Sequence, residues 1–259
     1  MTATTFGTPN LFILGAAKCG TTSLYNVLSR HPEVHVSYIK EPSFFCSYFQ
    51  AVSNPVIYHS LFDNKSKWRV DASTMYLTNP ETPEVLSHLF PEARFIIILR
   101  DPVKRAHALY RWMRRHDHVD GKPYELIDCF NEAVNIENER FHSPAFWQGC
   151  RMYPWNYFYW RSSLYYEQIE RYFKVFRREQ ILVLTLADFA ADPGSSCDSI
   201  SEFLGIDLQP FLGSDEWSFN VDASPSAPPV EAIDFLREKL SDVKPRTEQL
   251  LELSLNFSM

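Results

Sequence analysis

The stretch LFILGAAKCGTTSLYNVL, residues 11–28, constrains the fold more than any other part of the chain. Its first five residues are an apolar run that ends on glycine, as a buried parallel strand does. The following TTSLYNVLSRHP places Leu24, Val27 and Leu28 on one helical face, with Thr21 or Thr22 as the expected N-cap and Pro32 as the stop. A strand that turns through a glycine loop into a helix can hold an anion on its loop amides and helix N-terminus. The bland alternative is a tight glycine turn without a ligand.

Gly15 and Gly20 have the separation of a triphosphatase loop, GxxxxGK[ST]. Thr21 stands where that lysine belongs, and Lys18 lies inside the loop. A lysine after the second glycine reaches β/γ-phosphates, and the next hydroxyl binds magnesium. Moving the lysine forward spoils both roles. It suits a donor with a single 5′-phosphate carrying a reactive group, with Lys18 neutralising the oxygen that leaves. Ala17, Lys18, Cys19 and Gly20 would supply the clasp, and Thr21, Thr22 and Ser23 the hydroxyl donors.

Further along, RFIIILR (94–100) reads as a central parallel strand and QILVLTL (180–186) as another, with 34–36 a short third candidate. Helices are expected over 80–93, from Pro102 to about 116, over 162–176, over 195–206 and over roughly 231–253. Strands alternating with helices predict an α/β fold, three-layered around a mostly parallel sheet. We expect a single domain, 1–259, with a cap or insertion around 117–160, where the alternation fails. Residues 222–229, DASPSAPP, read as a loop.

Composition narrows the function. With 45% hydrophobic residues, 20 Phe, 13 Tyr and 6 Trp, the 259-residue chain can build a large core. A net charge of −7 argues against nucleic-acid binding but leaves room for one basic pocket. No apolar run is long enough to span a membrane and no signal peptide is visible. Five cysteines without a CxxC suggest reduced thiols in a cytoplasmic protein. The aromatic RMYPWNYFYW (151–160) reads as core, RWMRRH (111–116) as a solvated helix face, and His116 and His118 as solvated side chains.

FIIILRDPVKRAHALY puts Arg100 at the end of the strongest strand, where ligands of open α/β sheets bind and where a guanidinium can grip a phosphate bidentately. An ion pair with Asp101 is the structural alternative. Together, GAAKCGTTSL and ILRDPVKRAHALY resemble the 5′-phosphosulfate loop and 3′-phosphate segment of the sulfotransferases. IKEPSFF and VDASTMY resemble stretches of the bacterial and heparan sulfate branch, and 162–189 its later tyrosine helix and strand. The resemblance implies 3′-phosphoadenosine 5′-phosphosulfate as co-substrate, adenosine 3′,5′-bisphosphate as product, and no metal. It implies Lys18 at the leaving phosphate oxygen, Arg100 at the 3′-phosphate and Glu41 as base, with Pro42 biasing Glu41 away from helix. The chain departs from the family pattern at Ala108, Ser163 and Ser43.

The acceptor is expected to be a small molecule. Acidic residues over 117–139 (Asp117, Asp120, Glu125, Asp128, Glu132, Glu137, Glu139) beside aromatic residues suggest a cationic natural product. A carbohydrate acceptor, an ATP- and magnesium-dependent phosphotransferase and a non-catalytic nucleotide-binding module stay open as rivals.

Overall fold

Residues 7–211 and 228–258 are described by the computed structural model. The loop expected over 222–229 falls, except for its last two residues, outside them. In chain order the elements are β1 (Leu11–Gly15), α1 (Thr21–Leu28), β2 (Val34–Val36), α2 (Pro55–Ser60), β3 (Trp68–Asp71), α3 (Met75–Thr78), α4 (Thr82–Leu89) and β4 (Arg94–Leu99). Then come α5 (Pro102–Arg115), α6 (Phe130–Asn135), α7 (Glu137–His142), α8 (Pro144–Gly149), α9 (Tyr165–Phe173), β5 (Ile181–Thr185), α10 (Leu186–Ala191), α11 (Pro193–Leu204), α12 (Val230–Lys239) and α13 (Val243–Leu251). Contacts group them into two units: 1–99, 171–221 and 256–259 in one, 100–170 and 222–255 in the other.

The first unit is built on a five-stranded sheet in the order β2-β3-β1-β4-β5. Every pairing in it is parallel. All five residues of β1 are buried, as are five of the six in β4, so both strands read as continuous apolar runs. Phe12 of β1 packs against Phe95, Phe90 and Tyr76 at ring-centroid distances of 5.6, 5.5 and 6.3 Å. Each such ring stabilises the fold by about 1.5–3 kcal/mol relative to exposure. β1 lies at the centre, paired with β3 on one side and β4 on the other, while the chain itself runs from β1 through α1 to the edge strand β2. Parallel strands send their following loops to one edge, so the loops after β1, β2 and β3 share it, at the point where strand order reverses.

Two local expectations change. The N-cap of α1 is Gly20 in the left-handed region (φ 89°), with no side-chain cap, so neither Thr21 nor Thr22 caps. The helix expected over 231–253 is broken into α12 and α13 by the turn at 240–242. β3 and α2 were not anticipated at all. β3 is only four residues long and its sequence, WRVD, carries an arginine and an aspartate, which hides it from any search for apolar runs.

Within the second unit, α5 starts on Asp101, whose side chain caps the helix by accepting from the Lys104 amide (2.7 Å). Arg105, 1% exposed, donates to Ser163 Oγ (2.9 Å), Ser162 Oγ (2.7 Å) and the Tyr159 carbonyl (2.8 Å). Ser163, a departure from the family pattern, thus serves as one acceptor of a buried guanidinium. The aromatic stretch 151–160 is core as expected: Tyr153, Tyr157, Phe158 and Tyr159 are buried. Residues 117–160, expected as a cap, fall inside this unit.

Candidate functional site

The loop leaving β1 is shaped by its backbone. The Ala16 amide donates to the Ile98 carbonyl (2.8 Å), tying the loop to β4, and the Cys19 amide donates to the Ala16 carbonyl (3.2 Å). Gly15 has φ 140°, and a Cβ there would meet the Thr74 carbonyl oxygen at 3.2 Å and Leu77 Cβ at 3.3 Å. Only glycine fits both the dihedral and the close approach of α3. Lys18 is itself left-handed (φ 69°), an uncommon state for a side-chain-bearing residue. Cys19 is buried and its thiol contacts the Ala17 carbonyl at 3.7 Å. Thr21 and Ser23 are nearly buried while Thr22 is exposed. The uncapped first turn of α1 presents its amides and the positive end of the helix dipole.

Glu41 lies in the loop after β2. That loop runs on from the sheet: the Ser37 amide donates to the Val70 carbonyl (3.0 Å) and the Glu41 amide to the Ala72 carbonyl (3.2 Å). Thr74 Oγ1 donates to Glu41 Oε2 (2.9 Å), and Lys40 Nζ pairs with Oε1 (2.9 Å). The carboxylate is about one-third exposed. Pro42 does not hold Glu41 extended: Glu41 has φ 59° and Ser43 φ 51°, both in the left-handed region. Phe44 and Phe45 anchor the far end of this loop. Phe44 stacks on Tyr58 at 4.3 Å, and Phe45 packs on Tyr76 and Phe90 at 5.9 and 5.6 Å.

Below the turn lies Asp71, fully buried at the end of β3. Its Oδ1 accepts from Ser73 Oγ (2.6 Å) and its Oδ2 from Tyr58 OH (2.7 Å) and Tyr76 OH (2.9 Å). Ser73 Oγ in turn accepts the Ser43 amide (3.0 Å). Burial pushes the Asp71 carboxyl up to about 6, against the three hydroxyls that pull it down. Sequence reading singled out VDASTMY by resemblance but gave none of its residues a part. The available signal was an aspartate with two hydroxyl residues, Ser73 and Thr74, at its second and third following positions.

Thr74 thus links the two candidate groups of this unit. Its carbonyl abuts Gly15 at the start of the phosphate-type loop, and its hydroxyl holds Glu41. Arg100, the residue after β4, opens the second unit, where Tyr165 OH holds its carbonyl at 2.9 Å. Its neighbour Asp101 spends its carboxylate on the α5 cap. Ala108 is half-buried in α5, and nothing in the structure accounts for this departure.

The acidic stretch 117–139 changes meaning. Glu125 is buried and bound bidentately by Arg140 (2.7 and 2.8 Å) and by Tyr159 OH (2.7 Å). Glu137 is buried against the amides of Trp160 and Arg161 (2.9 and 3.0 Å). Asp128 pairs with Arg114 and Asp120 with Arg151. Four of the seven carboxylates therefore face cations or amides of the second unit itself, which removes most of the ground for a cationic acceptor. Arg114, read as part of a solvated face, is one of those partners.

Comparison with known proteins agrees with this architecture. Residues 8–222 match the sulfotransferase domain model. The chain is 28% identical over 207 residues to the mouse (Mus musculus) bifunctional heparan sulfate N-deacetylase/N-sulfotransferase 1. It is 26% identical over 212 residues to the human (Homo sapiens) bifunctional heparan sulfate N-deacetylase/N-sulfotransferase 2. These matches take in 76% and 79% of this chain but 22% of each relative, so the chain spans about a fifth of their length. A solved sulfotransferase from Alicyclobacillus acidocaldarius superposes with a TM-score of 0.73 at 30% identity, covering 96% of this chain and 98% of that one. The chain belongs to the sulfotransferase family, enzymes that take their sulfuryl group from 3′-phosphoadenosine 5′-phosphosulfate.

Proposed function

We propose that this enzyme transfers the sulfuryl group of 3′-phosphoadenosine 5′-phosphosulfate to a hydroxyl or amine of a small-molecule acceptor. The observation that carries the reading is the double role of Thr74, which packs against the phosphate-type loop and hydrogen-bonds Glu41. Residues 17–20 and the first turn of α1, with Thr21, Thr22 and Ser23, clasp the 5′-phosphate. Arg100 grips the 3′-phosphate, a role that rests on its place directly after β4. During transfer the bond between sulfur and the bridging phosphate oxygen breaks, and a bond from sulfur to the acceptor oxygen or nitrogen forms. Lys18 stabilises the charge left on the phosphate oxygen. Glu41 takes the acceptor's proton, leaving adenosine 3′,5′-bisphosphate and the sulfated product.

Exposed apolar side chains beside Glu41 in the chain support a small acceptor with an apolar body: Tyr38 is 76% exposed, Ile39 42% and Tyr48 53%. A charge of −7 offers little to a polyanion. The names of the curated relatives favour a second reading, an amino group on a carbohydrate. Comparing product formation on phenols and aliphatic alcohols with that on an N-unsubstituted glucosamine oligosaccharide separates the two. The five unbridged cysteines suit a reducing cytoplasm.

The donor is tested by thermal shift. At a hundred times its Kd, adenosine 3′,5′-bisphosphate stabilises by about 2.7 kcal/mol, which raises Tm by about 5–10 °C in a chain of this size. Stabilisation by ATP with magnesium alone overturns the assignment.

A further inference from the structure

The turn that carries Glu41 does not hold itself. Glu41 and Ser43 both sit in the left-handed region without being glycine, a state that persists only when the surroundings impose it. Three named contacts do so from one neighbouring segment: the Glu41 amide on the Ala72 carbonyl, the Ser43 amide on Ser73 Oγ, and Thr74 Oγ1 on Glu41 Oε2. The second depends on a hydroxyl that can rotate. A serine oxygen accepts well from the Ser43 amide only when its own proton points elsewhere, and here that proton points to Asp71 Oδ1 at 2.6 Å.

We propose that Asp71 is a positioning residue for the reaction: its carboxylate fixes the direction of the Ser73 hydroxyl and, through Ser73, holds the 41–43 turn that aims Glu41. The proposal rests on the reading of Glu41 as the base. The named hydrogen-bond partners of Asp71 are three hydroxyls, those of Ser73, Tyr58 and Tyr76. All three donate, which an ionised carboxylate can satisfy. A protonated one has to donate to one of the three, and that hydroxyl must reverse. Reversal at Ser73 frees its proton from the one direction Asp71 had fixed, so it can turn toward the Ser43 amide, and the second tie of the turn weakens.

The groups facing Asp71 are Tyr58 from α2, Tyr76 from α3, Glu41 and Cys46 from the loop after β2, and Tyr172 from α9. Burial pushes the Cys46 thiol and the three phenols up, so they stay neutral at ordinary pH. The Asp71 carboxyl, pushed up to about 6 chiefly by burial and slightly by the Glu41 charge, changes state just below neutrality. The turn is therefore held above about pH 6 and loosened below it.

Hydrogen exchange at the Ser43 amide and the pH profile of kcat test this. Exchange is read by mass spectrometry at pH 7.5 and 5, corrected for intrinsic rates. kcat is read as release of adenosine 3′,5′-bisphosphate from the donor, with water or with whichever of the phenols, alcohols and glucosamine oligosaccharide is turned over. In wild type, Ser43 protection falls as pH drops through 6, and kcat shows an acid limb there. Ser73→Ala and Asp71→Asn are expected to speed exchange at Ser43 at pH 7.5 by about tenfold or more while the β3 amides keep their protection. Misplacing the base should lower kcat by about tenfold to a hundredfold, with donor KM unchanged and the limb near 6 gone. Ser73→Thr, which keeps the hydroxyl, should restore both. Wild-type Ser43 exchange in Ser73→Ala overturns the proposal. So does a wild-type kcat and acid limb in Asp71→Asn. If Asp71→Asn fails to fold, Ser73→Ala decides alone. Glu41→Gln separates the two claims: full kcat in that variant defeats the base, while the exchange result at Ser43 still stands or falls by itself.

Discussion

Glu137 makes the second unit pH-sensitive in a calculable way. Its carboxylate is fully buried at the start of α7, with Oε2 accepting the Trp160 amide and Oε1 the Arg161 amide, and the Arg161 guanidinium 3.5 Å away. Burial pushes it from 4.5 up to about 7, the amides and Arg161 offsetting only part of the desolvation. At about 1.36 kcal/mol per pH unit, that rise corresponds to about 3 kcal/mol. Because the folded state prefers the protonated form, this stability is complete below about pH 4.5, declines between 4.5 and 7, and is gone above 7. In Glu137→Gln the group no longer titrates. Urea unfolding at pH 4.5, 6 and 8 should show wild type losing about 3 kcal/mol more than the variant across that range, roughly 6–12 °C in Tm. Trp147, Trp155 and Trp160 lie in the same unit and report its unfolding by fluorescence. Parallel losses in the two chains would refute the reasoning, because the carboxyl would then titrate alike folded and unfolded.

Lys18→Ala should lower kcat by about 10²–10³ and weaken adenosine 3′,5′-bisphosphate binding by much less; equal losses in both would make Lys18 a uniform binding contact and not a stabiliser of the leaving group. Gly15→Ala should destabilise by about 1–3 kcal/mol in urea, since its Cβ meets the Thr74 carbonyl at 3.2 Å, and should also lower kcat by pushing Thr74 away from Glu41; unchanged kcat in a folded variant argues against that link.

The strand-loop-helix of residues 11–28 was legible because its signals are local: an apolar run, two glycines, a helical stripe. β4 was legible for the same reason. The Asp71 network was not, because it joins residues 43, 58, 71, 73 and 76 through a strand whose polar residues disguise it. The acidic stretch misled for a related reason. Charge on paper looks available to a ligand, but Glu125 finds Arg140 fifteen residues away and Glu137 finds Arg161 twenty-four away. Pairings at that distance leave no mark on composition. Pro42 shows the limit of a local rule: the residue before a proline favours extended backbone, and ties to the 72–74 segment hold Glu41 at φ 59° regardless.

The left-handed pair at 41 and 43 sets stability and activity in opposition. Glycine adopts that region without the steric penalty other residues face there, so folding stability taken alone would favour glycine at both positions. The chain keeps a glutamate at one and a serine at the other. Substitutions chosen only to raise Tm would therefore converge on this turn and silence it, since what it gives up in backbone comfort is the fixed direction of a carboxylate.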